Sequence, residues 1–159
     1  MIYVSTGTHR EGFDRLVRAV DNLIASGKIR GKVVMQIGNS KYLPKHCAWF
    51  RFRESTKDID MQFSRAAIII THAGAGSIIS AMQHGKPTIV VPRLRRFGEH
   101  SDDHQLDLCQ SLEKARRIVA VYDVKDLGRA IGMAARLQPH AGKHKAAAII
   151  QSYLWSLQA

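Results

Sequence analysis

The segment Ala67-Ile-Ile-Ile-Thr-His72-Ala-Gly74-Ala-Gly76-Ser77, continuing into Ile78, Ile79, Ser80, Ala81 and Met82, constrains the fold of this chain more than any other. An uninterrupted apolar run, a turn with two glycines and then apolar residues at helical spacing read as a buried strand passing through a tight turn into a helix. A strand that is apolar on both faces belongs in a parallel sheet covered on both sides. The junction is also a natural anion site. The first N–H groups of a helix lack intrahelical partners and carry the positive end of its dipole, so a phosphate can rest against bare backbone there. Ser77 adds a hydroxyl, and the ligand that suits such a junction is phosphorylated, a nucleotide above all.

With 159 residues, 45% of them apolar, the chain has material for one domain with a sizeable core, so residues 1–159 are expected to form a single domain. No apolar run approaches the roughly 20 residues of a membrane span. An apparent strand at residues 2–4 leaves no space for a secretory leader, which predicts a cytoplasmic protein. Cys47 and Cys109 lack metal-ligand spacing and are expected as free, buried thiols. The 24 basic against 13 acidic residues, a formal charge of +11, favour an anionic partner. Nucleic acid is disfavoured in that role, because the basic residues are scattered and the 7% of aromatics form no stacking pattern. A nucleotide or a membrane surface fits the charge better.

Along the rest of the chain strands and helices alternate. Phe13, Leu16, Val17, Val20, Leu23 and Ile24 recur on one helical face after the first strand. Thr8 and Glu11 have the spacing of a capping box, which starts this helix inside the turn Ser5-Thr6-Gly7-Thr8-His9. Residues 32–37 and 47–52 read as strands on either side of a turn at Pro44, and a second capping box at Ser55 and Asp58 introduces a short helix over about 57–65. Beyond the glycine turn and its helix, Gly85-Lys86-Pro87 is a stop, Thr88-Ile-Val-Val91 a strand, and a polar loop from Arg93 leads to a helix opened by Asp102-Asp103-His104-Gln105. A last strand at 118–122 precedes helices at about 125–137 and 141–157. This alternation predicts an α/β fold, a Rossmann-like three-layer sandwich on a parallel sheet. Ligands of such sheets bind outside the carboxyl ends of the strands, so the Gly7 turn, the 53–57 loop, the Gly74 turn and the 93–105 loop should share one edge.

The glycine motif is neither the dinucleotide fingerprint, which needs G-x-G-x-x-G early in the chain and a later acid, nor a Walker loop, which needs Gly-Lys-Ser/Thr. Close packing between strand and helix is the alternative reason for Gly74 and Gly76; His72 and Ser77 beside them favour a site. His100, Asp102, Asp103 and His104 are metal-ligand types, but they straddle a loop-to-helix boundary without a second cluster, so no metal is expected. Capping or hydroxyl contacts suit them better, and Gln105 carries both a donor and an acceptor for a sugar. His9 has the pKa of a general base and sits in a site loop; a first-turn surface histidine is the plain alternative.

At these residues the chain resembles the C-terminal, donor-binding half of family 28 glycosyltransferases. The matching pieces are Val4-Ser-Thr-Gly-Thr-His9 with Phe13-Asp-Arg-Leu-Val17, His72-Ala-Gly-Ala-Gly-Ser77, Gly85-Lys-Pro87 with Val90-Val-Pro92, and Gly98-Glu-His100 with Asp103-His-Gln105. The likeness is greatest to small stand-alone subunits of bacterial exopolysaccharide synthesis, with the soluble subunit of the dolichol-pathway N-acetylglucosaminyltransferase as the eukaryotic relative. It implies one half of a GT-B enzyme, binding a UDP-sugar and working with a membrane-anchored subunit that holds a lipid-linked saccharide acceptor. No cofactor is implied; the UDP-sugar is the donor substrate.

The resemblance also implies roles. Gly7 and Thr8 face the diphosphate from one side and His72, Ala73, Gly74, Ala75, Gly76 and Ser77 from the other. Ser55 and Thr56 lie by the uracil, Ser80 stands where larger relatives place a ribose-binding glutamate, and Arg93, Arg95 and Arg96 stabilise the departing UDP. Glu99, His100, Asp103, His104 and Gln105 complete the donor site, with Gln105 on sugar hydroxyls. Inversion at the anomeric carbon is implied, the base being His9 or a group of the partner subunit. The expected function is transfer of a glucose- or glucuronic-acid-class sugar to a polyprenyl-diphosphate-linked acceptor in exopolysaccharide synthesis, peripheral at the inner face of the cytoplasmic membrane through the partner. The alternatives are a UDP-N-acetylglucosamine transferase subunit of the dolichol-pathway type, a non-catalytic nucleotide-binding module and, more remotely, a UDP-sugar epimerase.

Overall fold

In the computed structural model, which describes residues 1–136, 148 and 150–152, six parallel strands lie in the order β3-β2-β1-β4-β5-β6. They are β1 (Ile2–Ser5), β2 (Val33–Gln36), β3 (Ala48–Phe50), β4 (Ile68–His72), β5 (Thr88–Val91) and β6 (Val119–Ala120). Helices α1 (Asp14–Ala25), α2 (Thr56–Arg65), α3 (Ala75–Gln83), α4 (His104–Lys114) and α5 (Leu127–Ala134) cover both faces. This is the Rossmann-like sandwich expected from the apolar strands. Strand order reverses between β1 and β4, which opens a crevice at their carboxyl ends. Among the described residues no helix is long and apolar enough to cross a membrane.

Side chains alternate across the sheet with period two. Val4, Met35, Ile70, Ile89 and Val91 pack with Leu16, Val17 and Val20 of α1 and Leu127 and Ala130 of α5. On the other face Tyr3 and Ile69 meet Phe63 of α2 and Ala81 of α3, while Val90 meets Leu108, Cys109 and Leu112 of α4. In register, Ser5 stands beside Gln36 and Thr71, and Gln36 beside Phe50, so a row of side chains runs across the carboxyl edge on the α2–α3 face.

Two expected capping boxes are corrected. The box at Thr8 and Glu11 does not form: α1 begins at Asp14, and the Phe13 N–H donates to Ser40 Oγ at 2.9 Å instead. Residues 6–13 are a loop held from outside. Ser55 does precede α2, but the Asp58 N–H reaches its carbonyl at 3.1 Å and its hydroxyl makes no cap. The glycine-turn helix starts at Ala75, two residues before Ser77. The helix expected over 125–137 is a 3-10 turn, Val124–Asp126, running into α5. The one expected over 141–157 lies largely outside the described residues. Cys109 is buried as expected, whereas Cys47 is half-buried; both are free.

One buried acid organises the loop before β3. The Asp21 carboxylate, fully buried on α1, accepts the Tyr42 hydroxyl at 2.7 Å, the His46 N–H at 2.9 Å and the Lys45 N–H at 3.1 Å. Burial pushes its pKa up, but these hydrogen bonds outweigh it and hold the carboxyl below its ordinary value. Asp21→Ala leaves two amides and a phenol without their acceptor, and is expected to lower stability by about 2–4 kcal/mol in urea unfolding.

Candidate functional site

The loops after β1, β3 and β4 and the first turns of α2 and α3 enclose a cavity of about 940 Å³. Of the residues expected to bind a ligand, Gly7, Thr8, Thr56, His72, Gly74, Gly76, Ser77 and Ser80 line it. The nine residues of α3 aim their N-terminus at this space, with Gly74 preceding the helix and Gly76 and Ser77 in its first turn. Backbone N–H groups and the dipole there favour an anion.

The two glycines of the turn have different reasons. A Cβ on Gly74 would meet the imidazole of His72, and one on Gly7 would come within 2.6 Å of the same ring. Gly7 also has φ +75, which side chains resist. His72 is thus wedged between the two turns, which explains Gly7 and Gly74 by close packing. A Cβ on Gly76 meets nothing within 4 Å. Packing does not require glycine at 76, and the space beside it is the cavity.

His72 is neutral at physiological pH. Burial chiefly, with the charge of Arg93 behind it, lowers its pKa to about 4. Between pH 6.5 and 4 the unfolded chain therefore binds a proton that the folded chain refuses. Stability is complete above pH 6.5, falls as pH drops towards 4 and levels off below, a loss of about 3 kcal/mol at 1.36 kcal/mol per unit. Urea midpoints across that window are expected to show this slope in the native chain and to lose it in His72→Asn.

On the other side of the switch point the remaining expected residues form a second polar group. Gln105 at the start of α4 bridges two strand ends, its Oε1 accepting the N–H of Ala73 at 3.2 Å and of Arg93 at 3.0 Å. Among the described residues its amide nitrogen makes no hydrogen bond, and Gln105 is not among the residues that line the cavity. The rings of His9 and His100 stack with centroids 4.6 Å apart. Burial, then the neighbouring His100 and Arg93, lower the pKa of His9. Its Nδ1 accepts the Glu11 N–H at 3.2 Å, so the neutral ring carries its proton on Nε2 and offers a donor there.

Several expected ligand contacts are engaged inside the protein. Arg93 is 1% exposed, its guanidinium donating to the carbonyls of Thr6, Glu11, Gly12 and Glu99 at 2.7–3.1 Å, and burial lowers its pKa to about 10. The Glu99 carboxylate takes two bonds from Arg15, both 2.9 Å, and one from the Leu94 N–H. Asp103 accepts from the Arg95 N–H, and Asp102 accepts from the His104 N–H and pairs with His100 at 3.1 Å. His104 sits 3.9 Å from Asp107. Among the described residues no three His, Cys, Asp or Glu side chains are placed to hold a metal ion. Ser55, Ala73 and Ala75 flank the cavity in sequence without lining it. Arg95 and Arg96 are exposed on a 3-10 turn after β5.

Arg53 and Lys57, whose loop was expected at this edge without a ligand role, also line the cavity, and so do Ser5, Gln36, Phe52 and Asp60, which no sequence motif singled out. Arg53 and Lys57 add two cations to the lining that Gly76 and Ser77 of α3 share. Asp60 is held by His84 at 2.8 Å. The one available signal was Gln36, a polar residue closing an apolar strand.

Comparison with known proteins agrees with this layout. Residues 1–148 match the family described as glycosyltransferase family 28 C-terminal domain. The chain is 30% identical over 124 residues to the UDP-N-acetylglucosamine transferase subunit ALG13 of Homo sapiens, a match to 71% of this chain and 10% of that protein. It is 37% identical over 71 residues to the UDP-N-acetylglucosamine--N-acetylmuramyl-(pentapeptide) pyrophosphoryl-undecaprenol N-acetylglucosamine transferase of Solibacter usitatus (strain Ellin6076), covering 45% of this chain and 19% of that one. The chain thus spans a small part of the curated relatives it matches. An NMR structure of ALG13 superposes with a TM-score of 0.61 at 17% identity, covering 99% of this chain and 96% of that one. The switch-point cavity, the helix N-terminus above it and the match over 148 residues together place the chain in glycosyltransferase family 28, as a C-terminal domain with the Rossmann-like fold of one half of a GT-B enzyme.

Proposed function

We propose that this chain is the donor-binding subunit of a UDP-N-acetylglucosamine transferase that works with a separate, membrane-anchored acceptor subunit. The observation that carries the reading is the cavity at the β1–β4 switch point, where the α3 N-terminus, the Gly7 turn, Arg53 and Lys57 converge on one space. The names of the relatives carry N-acetylglucosamine, which moves the reading from the glucose- or glucuronic-acid class to the alternative sugar; they offer no support for an exopolysaccharide acceptor.

In the proposed reaction an acceptor hydroxyl oxygen attacks the anomeric carbon as the bond from that carbon to the β-phosphate oxygen breaks. The acceptor proton goes to a base, and UDP leaves with the bonding pair. The α3 N–H groups and the two cations stabilise charge that grows on the diphosphate as the bond breaks. His9, with its proton on Nε2, serves as a donor to the sugar or diphosphate, so the base belongs to the partner subunit. Gln105 offers its amide nitrogen to a sugar hydroxyl. Attack from the face opposite the leaving UDP inverts the anomeric centre, and the partner holds this subunit at the inner face of the membrane. A panel of UDP-sugars, assayed with the acceptor subunit and a polyprenyl-diphosphate saccharide, tests the reading. UDP-N-acetylglucosamine is expected to be consumed first; transfer of glucose or glucuronic acid alone would contradict the sugar, and UDP binding without any transfer would favour the non-catalytic module.

A further inference from the structure

The exposed arginines after β5 do not line the cavity. Arg95, Arg96 and Phe97 form a 3-10 turn closed by Gly98 at φ +65, with the Gly98 N–H donating to the Arg95 carbonyl at 2.8 Å. The turn is pinned from within: the Arg95 N–H donates to Asp103 at 2.9 Å and the Leu94 N–H to Glu99 at 3.1 Å. Phe97 is thereby held outwards, 51% exposed, with the guanidinium carbons of Arg15 and Arg96 each 4.8 Å from its ring centre. A lone exposed ring is ordinary; one fixed rigidly within a cationic field suits an amphipathic surface.

That field continues across the start of α1. Arg15, beside Phe97, is one helical turn from Arg18, whose guanidinium carbon lies 4.2 Å from the centre of the Tyr42 ring. Asp14 accepts the N–H groups of Lys41 and Tyr42 at 2.7 and 3.2 Å, which fixes the 41–43 loop beside the helix. Leu43 of this loop is 46% exposed. The nearby acids are engaged within the protein: Asp14 on that loop, Glu99 on Arg15 and Asp103 on the Arg95 N–H, while Glu11 pairs with Arg10. Among the described residues, Arg18, Lys41, Arg95 and Arg96 are exposed and form no ion pair. Exposed cations thus lie between two isolated apolar side chains, Phe97 and Leu43.

We propose that this flank, the start of α1 with the 95–97 turn and the 41–43 loop, docks directly on an anionic bilayer. The cations lie among headgroup phosphates, and Phe97 and Leu43 reach the acyl boundary. Lipid suits the flank better than protein does. Protein interfaces are depleted of charge at their core and gather aromatic and apolar residues there, whereas here cations take the centre and apolar side chains the margin. A headgroup layer leaves guanidinium and ammonium groups hydrated while their stems and neighbouring rings contact lipid. α1 covers the sheet face opposite α2 and α3, so lipid on this flank leaves the cavity open.

Co-sedimentation of the full chain with vesicles tests this, using equal parts phosphatidylglycerol and phosphatidylcholine against phosphatidylcholine alone. The native chain is expected to bind the anionic vesicles, to ignore the neutral ones and to dissociate as salt rises. Arg95→Gln with Arg96→Gln, and separately Arg18→Gln with Lys41→Gln, are each expected to weaken binding about 25-fold, roughly fivefold for each cation lost. Phe97→Ala is expected to weaken it at unchanged charge. Lys28→Gln with Arg30→Gln removes the same charge from exposed positions beyond the other end of α1 and is expected to leave binding level. Thermal unfolding checks that each variant is folded. Equal losses in all three pairs would assign binding to net charge and overturn the docking flank. A native chain that ignores anionic vesicles would overturn it too and leave the flank to a protein partner. UDP titration of Arg18→Gln with Lys41→Gln is expected to match the native chain, which keeps the lipid and nucleotide readings separable; loss of UDP binding there would give the flank to the donor site instead.

Discussion

Gly76→Asp is expected to abolish UDP binding without weakening the fold. The residue lies in the first turn of α3, exposed, with nothing within 4 Å of an added Cβ, so the substitution meets no steric cost. A carboxylate in a first helical turn interacts favourably with the dipole, and the unfolding temperature should stay level or rise. The same carboxylate stands beside the proposed diphosphate. Two unit charges 5 Å apart at an effective dielectric constant of 20 repel by about 3 kcal/mol, a loss of more than about 100-fold in affinity for each charge it faces. Gly74→Asp is a poorer probe, because its Cβ collides with His72 and mixes packing damage with repulsion. Calorimetry paired with thermal unfolding separates the two effects; a Gly76→Asp chain that binds UDP as the native one does places the diphosphate elsewhere.

Arg93→Ala is expected to be the most damaging truncation to stability, costing about 3–5 kcal/mol in urea unfolding. The guanidinium is a hub: from the end of β5 it binds the carbonyls of Thr6, Glu11 and Gly12 in the loop after β1, and of Glu99 in its own loop. Its removal leaves these buried acceptors unpaired and leaves Phe13, 4.7 Å from the guanidinium carbon, over a void. Arg93→Lys should recover only a small part, since an ammonium has three donors without the planar fork. Both loops border the site, so UDP affinity should fall with stability. Equal urea midpoints for Arg93→Ala and the native chain would contradict the hub.

These two residues show what was legible in the chain and what was not. The strands declared themselves through apolar runs, and the glycine turn through its place between β4 and α3; both are local patterns. The start of α1 was misplaced because the loop at residues 6–13 is held by Arg93 and Ser40, which are distant in sequence, and no local propensity reports them. Arg93 was expected on the ligand because a row of backbone carbonyls and a phosphate present the same chemistry to a guanidinium; only the fold decides which it meets. Gly74 and Gly76 look alike in the sequence, yet one gives room to an imidazole and the other to the cavity. Arg53, Lys57 and Gln36 reach the site through the position of α2 and the register of β2, and neither is written in a motif.

The central claim, that a nucleoside diphosphate sits on the α3 N-terminus at the β1–β4 switch point, is tested most directly by titrating the intact chain with UDP at pH 7, with NAD in parallel. The prediction is saturable heat at one UDP per chain, none with NAD, and none with UDP in a folded Gly76→Asp variant. Absence of heat with UDP, or UDP binding that survives Gly76→Asp unchanged, would contradict it.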